Sequence, residues 1–159
     1  MRDFHDITVD GKSFVDVIKE CRNGGPIIKA DLSNVVLRGM DLSALFLVDT
    51  NLENSDLETC DLSGTNFTVC DLNGAGLQDT KLINAIFQEC NLSNVDFSGA
   101  NLAGCVIDHS NLCGANLSRV KMFQTTIVNI TFDERTIWAD YVDLENIKSK
   151  MGWKRVESD

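Results

Sequence analysis

Of the residues in this chain able to do chemistry, the cysteines carry the most regular spacing. Cys60, Cys70, Cys90 and Cys105 are separated by multiples of five, and Cys70 and Cys90 by twenty. Two such thiols brought side by side can close a disulfide or hold a soft metal ion. Cysteine is also a common small buried residue, and packing is the role expected of these four. No CxxC pair argues for zinc. His5 and His109 are the two histidines, and His109 has Asp108 beside it at a position read as outward. The acidic residues offer carboxylate pairs, but glycosidase-type chemistry needs a cleft and two different environments. No HExxH, GxSxG or glycine-rich phosphate loop occurs. The expectation is therefore no enzyme, no metal and no cofactor.

The elements that must position these residues follow one period. Every fifth residue from Leu32 to Phe132 is apolar: Leu32, Leu37, Leu42, and so on through Phe67, Phe87, Phe97, Ile107, Met122 and Ile127. Neither a helix of 3.6 residues per turn nor a strand alternating every two keeps such a stripe on one side. The chain must bend once per repeat. The residue two before each apolar one is mostly small, as at Ala30, Thr50, Cys60, Cys70, Ala85, Cys90, Cys105 and Ala115. Two residues apart on an extended piece means the same side, so both point inward. The residue between them is often Asp or Asn, and such side chains bond local backbone at turns. Gly64, Gly74, Gly99, Gly104 and Gly114 fall two after the apolar residue, where a positive φ is useful.

Segments such as Ala30-Asp31-Leu32-Ser33-Asn34, Ala100-Asn101-Leu102-Ala103-Gly104 and Ala115-Asn116-Leu117-Ser118-Arg119 resemble the pentapeptide-repeat family. The resemblance implies an all-β solenoid, a right-handed quadrilateral parallel β-helix with four repeats per coil. The repeats from Ala30 give about five coils and a rod of roughly 25 Å. The resemblance also implies end-to-end dimers and, among fluoroquinolone-resistance members, an acidic rod that mimics DNA and binds DNA gyrase.

The expected organisation is an N-terminal cap over 1–29, the β-helix over 30–132 and a C-terminal cap over 133–159. Ser13-Phe14-Val15-Asp16 resembles a capping box, and Phe14, Val17, Ile18 and Cys21 follow at helical spacing. A helix over about 13–23 is expected to lie on the first coil, ending at Gly24-Gly25-Pro26. A second helix is expected over about 141–151. Trp138, Tyr141, Leu144, Ile147, Met151 and Trp153 of this end have two roles open to them, a plug for the rod or a dimer contact.

The net charge is −10. It disfavours direct binding to nucleic acid or anionic membrane, and permits a basic partner or mimicry of a polyanion. No segment is apolar enough for a membrane span. The first residues carry no leader pattern, so a cytoplasmic location with reduced thiols is expected. The repeats hold 12 acidic and 4 basic residues. Sorted by twenty, they give four faces. Asp31, Glu53 and Asp71 mark the first, with no base. Asp56, Glu58, Asp79 and Asp96 mark the second, against Arg38 and Arg119. The third balances Asp41 and Asp61 against Lys81 and Lys121. The fourth carries an outward apolar column, Phe46, Val48, Val69, Ile86, Val106 and Val128, among Asp49, Glu89 and Asp108. An apolar column bordered by acids points to self-association or a protein partner; β-branched residues also simply suit strands.

Overall fold

The computed structural model describes residues 1–144 and 152–157. Its strands and helix run β1 (Arg2–Asp3), β2 (Thr8–Val9), β3 (Lys12–Ser13), α1 (Phe14–Cys21), β4 (Ile27–Ile28), β5 (Val35–Val36), β6 (Phe46–Val48), β7 (Asn66–Thr68), β8 (Ile86–Gln88), β9 (Val106–Asp108), β10 (Thr126–Val128), β11 (Thr131–Phe132) and β12 (Lys154–Arg155). Strands β4, β6, β7, β8, β9 and β10 form one parallel six-stranded sheet, each twenty residues after the last. Isolated parallel bridges such as Asp31↔Asn51, Val36↔Asp56 and Asp41↔Asp61 continue the same offset on the other three sides. The solenoid therefore has about six coils rather than five. The additional coil begins at Ile27, which pairs with Leu47 although Gly25-Pro26 before it lacks the repeat signature.

The backbone pattern explains the register. Leu52 N donates to Asp71 O at 2.6 Å, while Asn51 N donates to Ala30 O at 2.9 Å. Each coil thus satisfies its neighbours on both sides. Inside, the central residues stack in columns. Ile27, Leu47, Phe67, Phe87, Ile107 and Ile127 are each at most 5% exposed. Phe67 and Phe87 lie parallel at 4.7 Å, and Phe97 meets Phe87 edge-on at 6.0 Å.

The small inner residue often does more than leave room. Thr65 Oγ1 donates to Leu42 O at 2.7 Å, Thr125 Oγ1 to Leu102 O at 2.7 Å, and Cys60 Sγ to Leu37 O at 2.9 Å. The Asx residue behaves as expected: Asp61, Asp71 and Asn111 each accept from the N–H two residues on. Every fifth residue from Lys29 to Asn129 has a positive φ, glycine or not. Gly104 suits this twice, because a Cβ there would also run into the Asn84 side-chain oxygen one coil earlier. Thr59, at φ 61, and Val69, at φ 57, are the β-branched exceptions and are held there by the coils on either side.

Both ends of the ladder need covers. Helix α1 spans Phe14–Cys21, and its Phe14, Val17, Ile18 and Cys21 are buried. Asp16 N donates to Ser13 Oγ, and the hydroxyl in turn donates to the Asp16 carboxylate at 2.7 Å. An Asp side chain is too short for the reach-back of a full capping box. Before the helix stands an unexpected hairpin, β2 with β3, turned at Asp10 and Gly11 with φ of 50 and 77. Arg2 covers edge carbonyls of the first coil, reaching Ser33 O at 2.7 Å, and Arg22 reaches Asp41 O at 3.0 Å. Pro26 is the only proline of the chain. It stands twenty before Phe46, where an N–H would face the missing preceding coil.

At the far end the register slips by one. Asn116 bridges Ile137, 21 residues on, instead of 20. Asp133 fills the gap: its Oδ1 accepts from Gly114 N at 2.8 Å, where regular coils use a backbone carbonyl, and its Oδ2 pairs with Arg135 at 2.6 Å. Its side chain is 1% exposed. Burial pushes this carboxyl up, but Arg135, the Gly114 N–H and the Thr136 hydroxyl outweigh that and hold it below its ordinary value. Trp153 Nε1 donates to Ile127 O at 2.7 Å, and Tyr141 Oη to Val120 O at 2.7 Å. Residues 145–151 of the helix expected over 141–151 lie outside the described residues.

Two outcomes follow. Val69→Asn should stabilise the protein by about 1 kcal/mol, because Asn tolerates the left-handed region that Val resists; a raised thermal midpoint checks it. Asp133→Asn should cost about 1–3 kcal/mol, since it leaves Arg135 and buried donors poorly matched. The sign with pH is fixed by the lowered carboxyl. Its stabilisation is full above the ordinary aspartate value of ~3.9 and is lost as pH falls through the folded value. The fluorescence of Trp138 and Trp153 against pH should show that acid limb in the wild type and a weaker one in the variant.

Candidate interaction surfaces

The outward residues of the six-stranded sheet form two columns. One runs Phe46, Asn66, Ile86, Val106, Thr126; the other runs Ile28, Val48, Thr68, Gln88, Asp108, Val128. Asn66 and Thr68 interrupt the apolar column expected on the fourth face. Two patches result. Ile28, Phe46 and Val48 lie at the N-terminal end, with Ile28 and Phe46 each 51% exposed. Ile86 and Val106 lie further along. Asp49, Val69 and Glu89 stand at the corner beside them, and Asp108 accepts from Asn129 at 2.9 Å and faces His109 Nδ1 at 2.7 Å.

The twenty-residue register adds a second edge that the sequence reading passed over. On the third side, Ile83, Ala103 and Phe123 occupy one outward column, and Phe123 is 74% exposed. Ile86 and Val106 flank the same corner from the fourth side. The signal was present: Ile83 and Phe123 hold the outward place that Ser43 and Ser63 fill in earlier coils.

The acids divide by position along the rod. At the N-terminal end, cations of the cap reach the solenoid: Arg2 to Asp31 at 3.5 Å, Arg22 to Asp41 at 2.8 Å and Lys29 to Asp49 at 3.9 Å. Arg38 spans Asp56 and Glu58, and Lys81 holds Asp61 at 3.3 Å. Asp31 and its face are therefore not without a base. Hydrogen bonds from Ser33, Ser43 and Ser63 hold Asp31, Asp41 and Asp61 below their ordinary carboxyl values. Among the described residues, Glu53, Asp71, Asp79, Glu89 and Asp96 have no cation within 4.0 Å. Asp71 and Asp96 instead accept from amides one coil on, Asn91 at 3.0 Å and Asn116 at 3.1 Å.

The C-terminal aromatics are placed unequally. Trp138 and Trp153 stack at 4.8 Å, with Phe132 edge-on to both. Trp153 is 9% exposed and Leu144 packs partly against the core. Tyr141 is 63% exposed. Ile147 and Met151 lie outside the described residues. No cluster of metal-ligating side chains occurs among the described residues, and none of their helices is long and apolar enough to cross a membrane.

A family model described as pentapeptide repeats matches residues 28–58, 50–88 and 90–127, with eight copies. The chain belongs to the pentapeptide-repeat family. Solved structures agree in fold. A pentapeptide-repeat protein (Rfr23) from the cyanobacterium Cyanothece 51142 superposes with a TM-score of 0.72 at 24% identity, over 78% of this chain and 98% of that one. QnrB1, a plasmid-mediated fluoroquinolone-resistance protein, gives 0.60 at 17% identity, over 81% and 60%. A pentapeptide-repeat protein of the Arabidopsis thaliana thylakoid lumen gives 0.51 at 29% identity, over 62% and 65%. No curated protein sequence matches significantly. Pentapeptide-repeat proteins form right-handed β-helices and are generally structural or interaction proteins.

Proposed function

We propose that this chain is a non-catalytic protein-binding rod whose contact surface is the apolar edge between its third and fourth sides. The observation that carries the reading is the alignment of Ile83, Ile86, Val106 and Phe123 in successive coils, with Phe123 74% exposed. Lys81 and Lys121 border this edge on the third side and Asp108 on the fourth, so the partner it fits presents an apolar strip with charges of both signs beside it. Phe46, Val48 and Ile28 extend the surface toward the cap. The same surface serves self-association if the partner is a second copy. Replacing Phe46, Ile86 and Phe123 by Ser should weaken partner capture from the native host, or lower the mass by light scattering, at least tenfold in affinity, with an unchanged thermal midpoint. Equal binding by the variant would overturn the reading.

A second reading, a DNA mimic acting on DNA gyrase, has one observation in its favour. Among the described residues, Glu53, Asp71, Asp79, Glu89 and Asp96 have no cation within 4.0 Å, so negative charge gathers along the middle of the rod. The fold likeness to QnrB1 is compatible with it. The pairing of Asp31, Asp41, Asp49, Asp56, Glu58 and Asp61 weighs against a continuous anionic track, and the first reading is preferred. In a gyrase supercoiling assay a mimic acts at low protein concentration and loses its effect as salt rises. Neutralising Glu53, Asp71 and Asp96 to Gln or Asn should abolish that effect; no effect of the wild-type protein removes this reading.

A further inference from the structure

The inner column at the corner between the fourth and first sides reads Ala30, Thr50, Cys70, Cys90, Ser110. Cys70 follows β7 and Cys90 follows β8, and the Asp71↔Asn91 bridge next to them fixes their parallel, in-step placement. Neighbouring strands lie ~4.8 Å apart, inside the Cα separations of ~4.4–6.8 Å that a disulfide spans. Both residues are buried. Each thiol has a backbone acceptor, Leu47 O at 3.4 Å for Cys70 and Phe67 O at 3.3 Å for Cys90. All the cysteines are free thiols. No other column stacks two of them. Cys60 lies between Met40 and Thr80, and Cys105 between Ala85 and Thr125.

We propose that Cys70 and Cys90 are a reversible redox site, a thiol pair that hydrogen peroxide closes into a disulfide between the third and fourth coils and that thiol reductants reopen. An open groove of about 380 Å³ supplies the way in, with Cys90 in its wall beside Glu89, His109, Ser110 and Asn129. Peroxide entering there meets Cys90 first. The Cys90 S–H proton is lost and the peroxide O–O bond breaks, leaving a sulfenic acid on Cys90 and one water. The Cys70 sulfur then displaces that hydroxyl. The S–S bond forms, and the Cys70 proton leaves with the hydroxyl as the second water. Two thiols are oxidised and one peroxide is reduced. Burial pushes Cys60 up to about 11 and Cys105 up to about 12, and neither has a stacked partner, so both stay thiols.

The test treats the whole protein with hydrogen peroxide, alkylates the remaining thiols under denaturing conditions and maps the peptides by mass spectrometry. The expected result is a loss of two hydrogen masses, one cross-link joining Cys70 to Cys90, four alkylated cysteines, and recovery of all six thiols with dithiothreitol. The oxidised protein should also unfold at a higher temperature. Cys70→Ser and Cys90→Ser should each abolish the cross-link and the shift. Both substitutions place in the column a residue type that Thr50 and Ser110 already show it accepts, so the variants fold. Full alkylation of Cys70 and Cys90 after exposure that oxidises the half-exposed Cys113 would overturn the proposal. So would a cross-link that joins two chains, or oxidation of Cys90 without a link.

Discussion

Everything in this molecule depends on the hydrogen bonds between coils. A helix satisfies its own backbone, but a coil of this rod satisfies none of its long-range bonds alone. Leu52 needs Asp71, and Asn51 needs Ala30. The offset of twenty is therefore not an average but a condition on every regular coil, and it slips to 21 only where Asn116 meets Ile137 at the C-terminal end. It makes the two ends the weak points, because an end coil is an open strand edge on all four sides. The chain answers with unlike devices. Guanidinium groups of Arg2 and Arg22 cover carbonyls at one end, and Pro26 removes a donor that would have had nothing to meet. At the other end the Asp133 carboxylate stands in for a missing carbonyl, while Trp153 and Tyr141 donate to edge oxygens. Such caps are irregular because each meets a different side of the square.

The same condition sets what each position tolerates. The central residue fills the axis, and its column partners are all large and apolar, with Phe67 and Phe87 stacking directly. The inner residue two before it is mostly small and gains if it carries a donor, so Thr, Cys and Ser alternate there with Ala, while Val35, Leu45, Val95 and Ile130 show that the column also accepts larger apolar side chains. The corner must adopt a positive φ whatever its side chain. A single residue in that region is disfavoured by a Cβ. The lattice of coil-to-coil bonds imposes it nevertheless on Val69, Thr59 and Glu89. Here tertiary register overrides local preference at every turn of the rod.

That override decides what was legible in the sequence. The five-residue period, the inward pair and the Asx turns could be read because each depends on residue type at a fixed place. The helix over Phe14–Cys21 was read from its spacing and cap. The first coil was missed because Ile27 keeps the period while Gly25 and Pro26 lack the flanking signature; only pairing with Leu47 reveals it. The β2–β3 hairpin carried an Asp10-Gly11 turn signal that the reading did not use. The slip at Asp133 had no signal, since one inserted residue is visible only against a neighbouring coil. Charge was misjudged for a similar reason. The first face held no base within the repeats, yet Arg2 from outside them reaches Asp31. A count by face cannot see a cation that arrives from the cap.

The surface follows the opposite logic. Outward residues do not fill the axis, so beyond the Asx turns and ladders their pattern is less bound by the fold's demands. A lone exposed Ile or Val on a strand is ordinary. Phe123 at a turn is not explained that way, because it gains no strand packing there and covers no core. Its alignment with Ile83, and with Ile86 and Val106 across one corner, arises only through the twenty-residue offset and is invisible along the chain. Exposed apolar area of this kind gains roughly 25 cal/mol per Å² when covered. The rod has rigid sides on which such residues keep fixed spacing, so a partner that matches the spacing recovers that energy without ordering the rod itself. A solenoid fixed inside by its hydrogen bonds is in this sense a ruler, and the proposed contact surface lies in the coils where an outward place that elsewhere holds Ser or Asn holds a large apolar side chain instead.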